Sequence, residues 1–144
     1  MARASRRSSN ASSGRTGPHV AVEPLAVTRA APGSWKVRWR ITNDGADALH
    51  LTQIAAPHGK FRSPDHAIDV ALPVGGSFEP QLVIASAEPP NTEIENTFLI
   101  LTADAGGKTW RILARIRVRV DAGGVPHAVT ERIDAQEVNF SGYG

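Results

Sequence analysis

The stretch Trp110–Val120 constrains the fold most, because its side chains alternate strictly along the chain. Every second residue is apolar, and the residues between them are Arg111, Leu113, Arg115, Arg117 and Arg119. Successive side chains of a β-strand point to opposite faces, so the pattern predicts one buried face and one basic face. A helix through the same residues would scatter the arginines around its circumference. The stretch is therefore predicted to be a strand buried on one side.

The same alternation recurs elsewhere and predicts an all-β chain. In Ser34–Thr42, one face carries Trp35, Val37, Trp39 and Ile41. Weaker alternation predicts strands at Val20–Val27, Leu49–Ile54, Ala67–Leu72 and Phe78–Ala85. Phe98–Leu101 is apolar at every position, which is typical of a central strand covered on both faces. These segments give seven strands, and no segment has a convincing helical pattern.

Turn signals separate the predicted strands at the spacing of a sandwich or barrel. Asn43-Asp44-Gly45 is typical of a tight hairpin between two neighbouring strands. Pro24 and Pro80 each remove a backbone donor, which favours edge strands or bulges. The segment 125–140 follows neither period clearly, and we expect either an additional terminal strand or an extended arm. The prediction is an antiparallel β-sandwich of about seven to eight strands.

Three segments carry a resemblance to a known class of domain. They are WKVRWRITNDGADALHLTQI, then LPVGGSFEPQLVI, in which a Pro/Gly turn opens the next strand, and the late hairpin FLILTADAGGKTWRILARIRVRV. The layout from Ser34 to Val120 resembles the cysteine-free immunoglobulin-like modules of the ASH and CARDB types. That resemblance implies an immunoglobulin-like sandwich and a general role in binding or assembly. It transfers no functional residue.

The charge of the chain is concentrated at its beginning. The first 22 residues contain Arg3, Arg6, Arg7 and Arg15 and no acid, so 12 of the 16 basic residues remain from Glu23 onward, against 14 acids. Residues 1–17 are also rich in Ser and Gly, and we expect a disordered basic tail there. Residues 18–140 are expected to form the folded, nearly neutral domain, which argues against a nucleic-acid surface across the whole domain.

Composition also limits the location and chemistry of the protein. The absence of cysteine excludes disulfides, thiolate metal sites and cysteine nucleophiles. No apolar run approaches the roughly 18 residues that cross a bilayer. We expect a cytoplasmic protein, or a secreted one if a signal peptide has been removed.

The arginine stripe, defined as Arg111, Arg115, Arg117 and Arg119, is the candidate interaction surface. Alternate residues of a strand stand roughly 7 Å apart, so the stripe could contact phosphates or an acidic partner. The alternative, which we favour, is a solvated face whose arginines pair with acids such as Glu93 and Glu95. Lys36, Arg38 and Arg40 form a second basic row, expected on the other sheet of the sandwich.

The sequence gives little support for carbohydrate binding, metal binding or catalysis. The 3 tryptophans fall on the apolar phase of their strands and are expected in the core rather than on a carbohydrate platform. Among the 5 histidines, only His58 and His66 form a pair worth testing as metal ligands. No nucleophile, P-loop or metalloprotease motif is present. We therefore expect no catalytic residue, cofactor or metal.

Three functions remain open at this point. The first is a non-catalytic module that binds another protein through a sheet edge or loops, assisted by the basic tail. The second is an accessory protein that contacts nucleic-acid phosphates through the tail and the arginine stripe, with a steep dependence on salt. The third, an enzyme or metal carrier, is the least favoured. The oligomeric state is left open.

Overall fold

The computed structural model describes residues 17–138. All regular secondary structure in this range is β-strand, so it contains no helix that could cross a membrane. The strands are β1 (Val20–Ala31), β2 (Ser34–Asn43), β3 (Leu49–His58), β4 (Phe61–Leu72), β5 (Ser77–Phe78), β6 (Gln81–Ala85), β7 (Glu93–Ala105), β8 (Lys108–Val120) and β9 (Pro126–Glu137). The predicted all-β class is confirmed. The predicted tail, apart from Gly17, lies outside the described residues, as do residues 139–144.

The strands form a 9-stranded antiparallel sheet that is nearly closed as a barrel. Its order is β1-β2-β6-β4-β3-β7-β8-β9, with the short β5 beside β2. The two ends of this path, β1 and β9, lie next to each other. The inner face of the sheet therefore encloses one core.

The core contains the apolar sets that alternation predicted. On β2, Trp35, Val37, Trp39 and Ile41 are all buried, and Trp39 is 0% exposed. On β8, the even-numbered residues from Trp110 to Val120 are all buried as well. The expectation that every tryptophan belongs to the core is confirmed. Trp35 also donates from its Nε1 to the carbonyl of Ser86 at 2.9 Å.

Two joints in the sheet carry few backbone hydrogen bonds. Between β4 and β6, Arg62 and Ala85 form the only register pair in residues 17–138. Between β1 and β9 no strand pairing occurs in the same range. There, the Thr130 hydroxyl donates to the Val22 carbonyl at 2.8 Å. The two joints divide the sheet into β1-β2-β6 with β5 and the larger group β4-β3-β7-β8-β9.

The Asn43-Asp44-Gly45 segment is not a hairpin, contrary to the prediction. β2 pairs with β1, β5 and β6, whereas the following strand β3 pairs with β4 and β7. The buried Asn43 side chain donates to the carbonyls of Asp47 at 2.9 Å and Leu72 at 3.0 Å. It also accepts from the Gly45 N–H at 3.0 Å. The asparagine thus fixes a corner between non-adjacent strands, and its turn signal does not reveal which strands pair.

Two other segments are clarified by the structure. Leu99 and Leu101 are buried, but Phe98 and Ile100 are only half-buried on the outer face, so the expectation of a strand covered on both faces is wrong. The uncertain segment after Val125 contains β9, which pairs with β8 along most of its length. The terminal-strand alternative is therefore correct.

Candidate interaction surface

The arginine stripe lies on the outer face of β8, as the sequence predicted. All four of its arginines are exposed. β8 lies between β7 and β9 and pairs with both over long ladders. The side chains around the stripe therefore come from three adjacent strands.

Both neighbours of β8 are irregular at the level of Arg115 and Arg117. On β7 the register shifts between Ile94 and Thr97, and Asn96 has a φ of 62°. On β9 the register shifts where Glu131 lies outside the ladder. A bulge inserts a residue into one strand and re-aims its side chain. The two bulges bring polar side chains to the middle of the stripe from both sides.

The two middle arginines share partners that these bulges supply. Arg117 Nη2 lies 2.7 Å from Glu131 Oε2, and Arg115 Nε lies 3.8 Å from Glu131 Oε1. Arg115 also donates from Nη2 to Asn96 Oδ1 at 2.8 Å. These groups and Glu95 surround a depression of about 140 Å³. The single carboxylate of Glu131 therefore offsets one of the two positive charges at the middle of the stripe.

The acids that the sequence suggested are not the partners of the stripe. Glu93 is opposite Arg119 in the ladder. However, in residues 17–138 no ion pair within 4.0 Å joins Glu93 or Glu95 to the arginines. The actual partner, Glu131, was missed because the sequence carries no visible signal for the bulge in β9.

The outer two arginines differ from the middle two. Arg111 and Arg119 form no ion pair with any residue in the described range. Arg111 borders a second depression of about 190 Å³, whose wall includes Pro57 and Ile100 and also the acid Asp65. Within residues 17–138, the charges of Arg111 and Arg119 are therefore not offset by a direct ion pair.

Apolar side chains lie next to the stripe on the same outer face. In the ladder between β7 and β8, Phe98 is opposite Arg115, and Ile100 is opposite Leu113. Phe98, Ile100 and Leu113 are all half-buried. We call these three residues the apolar strip. Arginine stems can cover such surface while their guanidinium groups stay in water.

The second basic row, Lys36, Arg38 and Arg40, lies on the outer face of β2. Glu79 pairs with Arg38 at 3.5 Å and with Arg40 at 3.1 Å. β9 and β1 separate this row from the arginine stripe in one direction around the barrel. The two rows do not merge into one basic surface.

The histidines singled out in the sequence have ordinary local partners. His58 Nδ1 accepts from the Lys60 N–H at 3.0 Å, and His66 Nε2 lies 3.2 Å from the Ser63 hydroxyl. Residues 17–138 contain no group of three or more side chains suited to a metal ion.

One carboxyl group at the end of β8 is electrostatically perturbed. Asp121 Oδ1 accepts from the N–H groups of Val125 at 2.8 Å and Gly123 at 2.9 Å. Its Oδ2 lies 2.9 Å from His127 Nε2. The bond from Val125, followed by that from His127, lowers the pKa of Asp121 below its ordinary value. This turn holds the start of β9 beside β8.

Comparison with known proteins does not indicate a function for this chain. No protein family model, curated protein or solved structure matches the chain. The outer face of β7 and β8 offers an apolar strip, two arginines without an ion pair in residues 17–138 and two shallow depressions.

Proposed function

We propose that this protein is a non-catalytic interaction module that binds another protein through the outer face of β7 and β8. The observation that carries the proposal is the apolar strip flanked by Arg111 and Arg115. Outward-facing large apolar residues on a sheet are the exception, and a contiguous group of them often marks an interface.

The composition of this face fits the energetic centre of a protein interface. Aromatic residues and arginine are enriched at such centres, where they pack tightly and exclude water. Phe98, Ile100 and Leu113 would supply the apolar contact. Arg111 and Arg119 would bind carboxylates of the partner, because neither forms an ion pair within residues 17–138. The expected partner therefore presents apolar side chains together with acidic ones.

A protein partner fits this face better than a nucleic acid does. A continuous phosphate backbone lying along the stripe would meet Glu93, Glu95 and Glu131, which stand on the two flanking strands. Like charges placed against each other cost several kcal/mol of binding. A partner with separated carboxylates avoids these acids.

We also infer that the fold is a two-layer sandwich of the immunoglobulin-like kind. The two sparsely bonded joints support this, since they separate the strand orders β1-β2-β6 and β4-β3-β7-β8-β9. With β1 to β4 lettered A, B, C and C′ and β6 to β8 lettered E, F and G, these contain the immunoglobulin-like orders A-B-E and C′-C-F-G, with β9 as an additional strand beside G and the short β5 beside B. In this arrangement the proposed binding face is the outer side of the larger layer.

Site-specific photocrosslinking in the source cells tests the proposed function. A photoreactive amino acid replaces Leu113 in one variant and Val83 in the other. Val83 is the matched control, because it is an outward aliphatic residue on β6 and is 52% exposed. We expect one defined protein to be captured from position 113 and not from position 83.

The captured protein is then purified and mixed with the wild-type domain to measure binding at low and high salt. A saturable complex that weakens only moderately with salt supports the proposal. Equal capture from both positions, or capture of nucleic acid with steep salt dependence, contradicts it.

A further inference from the structure

A cavity of about 150 Å³ opens at the joint between β1 and β9. Its walls include Leu25 from β1 and Ala128 from β9. Val37 and Phe61 also line it, and these are core residues that are only 3% and 2% exposed. The cavity thus connects the surface to the core. It lies at the joint, away from the apolar strip.

Particular residues prevent β1 and β9 from pairing at this joint. Pro24 in β1 and Pro126 in β9 both border the cavity, and neither has an N–H with which to bond a facing strand. The register of β1 also shifts between Pro24 and Ala26, so Leu25 lies outside the ladder with β2. Prolines and bulges are the usual means of preventing an edge from pairing. The opening therefore follows from particular residues.

The size of the cavity suits one small ring. An enclosed apolar cavity of roughly 150 Å³ is large enough to bind benzene, and this cavity has a similar volume but is open to solvent on one side. Val37, Phe61 and Leu25 contribute apolar side-chain atoms to a lining that also exposes polar atoms, so a hydrocarbon ring with one polar substituent suits it.

One polar side chain lines the same cavity. His127 Nε2 bonds to Asp121 Oδ2 at 2.9 Å. An ionised carboxylate only accepts hydrogen bonds, so Nε2 must carry the proton. When the ring is neutral, Nδ1 has a lone pair to which no residue in the described range donates, and the side chain is 53% exposed, so a ligand would displace only water from it. An acceptor of this kind matches a ligand hydroxyl.

We propose that the joint between β1 and β9 is a binding site for a small phenol, with its ring between Leu25 and Ala128 and its hydroxyl donating to His127 Nδ1. The site is independent of the protein-binding face proposed above. The phenol is bound noncovalently.

Titration of the whole chain with p-cresol and with toluene, followed by amide NMR, tests this site. Both ligands are expected to shift the amides of β1 and β9 around the cavity. A purely apolar cavity would prefer toluene, since the hydroxyl of p-cresol must lose its water. With the imidazole acceptor, we expect p-cresol to bind about three- to tenfold more tightly than toluene.

Three variants complete the experiment. Ala128→Phe should fill the cavity and abolish binding of both ligands. Val129→Phe is the matched control on the same strand, because Val129 is 59% exposed, and it should leave binding unchanged. His127→Ala should remove the preference for p-cresol while toluene still binds. Circular dichroism checks that each variant is folded.

Several results would overturn the proposal. They are the absence of saturable p-cresol binding to the wild type, a wild-type preference for toluene, and p-cresol binding that survives in a folded Ala128→Phe variant. A preference for p-cresol that persists in His127→Ala would also reject the assigned acceptor.

Discussion

Along β8, the inward side chains meet one continuous core, whereas the outward side chains meet two strands that are interrupted by bulges. Inside, every side chain from Trp110 to Val120 is buried in strict alternation. Outside, regular pairing is broken beside Arg115 and Arg117. The residues of the inner face can therefore be predicted from periodicity alone. The contacts of the outer face depend instead on the bulges in β7 and β9.

The outer face is itself divided. Arg115 and Arg117 share the carboxylate of Glu131, while Arg111 and Arg119 have no ionic partner within residues 17–138. A basic stripe that looks uniform in the sequence thus contains a partly neutralised middle and two ends without an ion pair in the described range. The charged end at Arg111 adjoins Ile100 of the apolar strip.

The largest expected effect concerns the inner face. Ile112 is 1% exposed, so Ile112→Ala should lower the free energy of unfolding by about 2–5 kcal/mol. Arg111→Ala, one residue away on the outer face, should change it by about 0.5 kcal/mol or less. Urea unfolding measures both, and similar losses would refute the difference between the two faces.

The inner face of β2 provides a finer comparison. Trp35 Nε1 has a carbonyl partner, but Trp39 Nε1 is buried without one in residues 17–138. Trp35→Phe leaves the Ser86 carbonyl without its donor, whereas Trp39→Phe removes an unpaired group. Trp35→Phe should therefore destabilise the protein more, by about 1 kcal/mol. Thermal unfolding of the two variants tests this, and the opposite order would show that Trp39 has a hidden partner.

Removing the charge of Glu131 tests the partly neutralised middle of the stripe. The Glu131 side chain is 32% exposed and that of Arg117 is 56% exposed. Glu131→Gln should therefore cost only about 0–1 kcal/mol of stability, with a smaller effect at high salt. Glu137→Gln, which affects an exposed pair with Lys108 at 3.7 Å, is the control. A much larger loss for Glu131→Gln would mean that the cluster holds the fold together.

Asp121 should give the smallest effect, visible mainly as a pH dependence. Its lowered pKa means that the ionised carboxyl stabilises the folded state above the ordinary value of 3.8, and that this contribution is lost as the pH falls through the lower folded value. Asp121→Asn should thus lower the melting temperature at pH 7 and have less effect at pH 2. An equal effect at both pH values would contradict the electrostatic explanation.

The sequence predicted the strands and the inner face because burial on one side imposes a period of two. It did not predict the corner at Asn43, since a turn motif reports local backbone shape and not the pairing of strands. It predicted that Phe98 and Ile100 would be fully covered, because apolar character alone cannot distinguish a face under a second packed layer from a half-buried outer face. It placed all four arginines correctly on one face but missed Glu131, whose position depends on a bulge.

The most direct test of the account is the affinity of the captured partner for two charge-reversal variants. Arg111→Glu alters a cation beside the apolar strip, and Lys36→Glu alters an exposed cation on β2 with no ion pair in the described range. Isothermal titration calorimetry should show at least about tenfold weaker binding for Arg111→Glu, since like charges across an interface are costly. Lys36→Glu should bind as the wild type does. Unchanged binding by a folded Arg111→Glu variant would contradict the assignment of the partner to the outer face of β7 and β8.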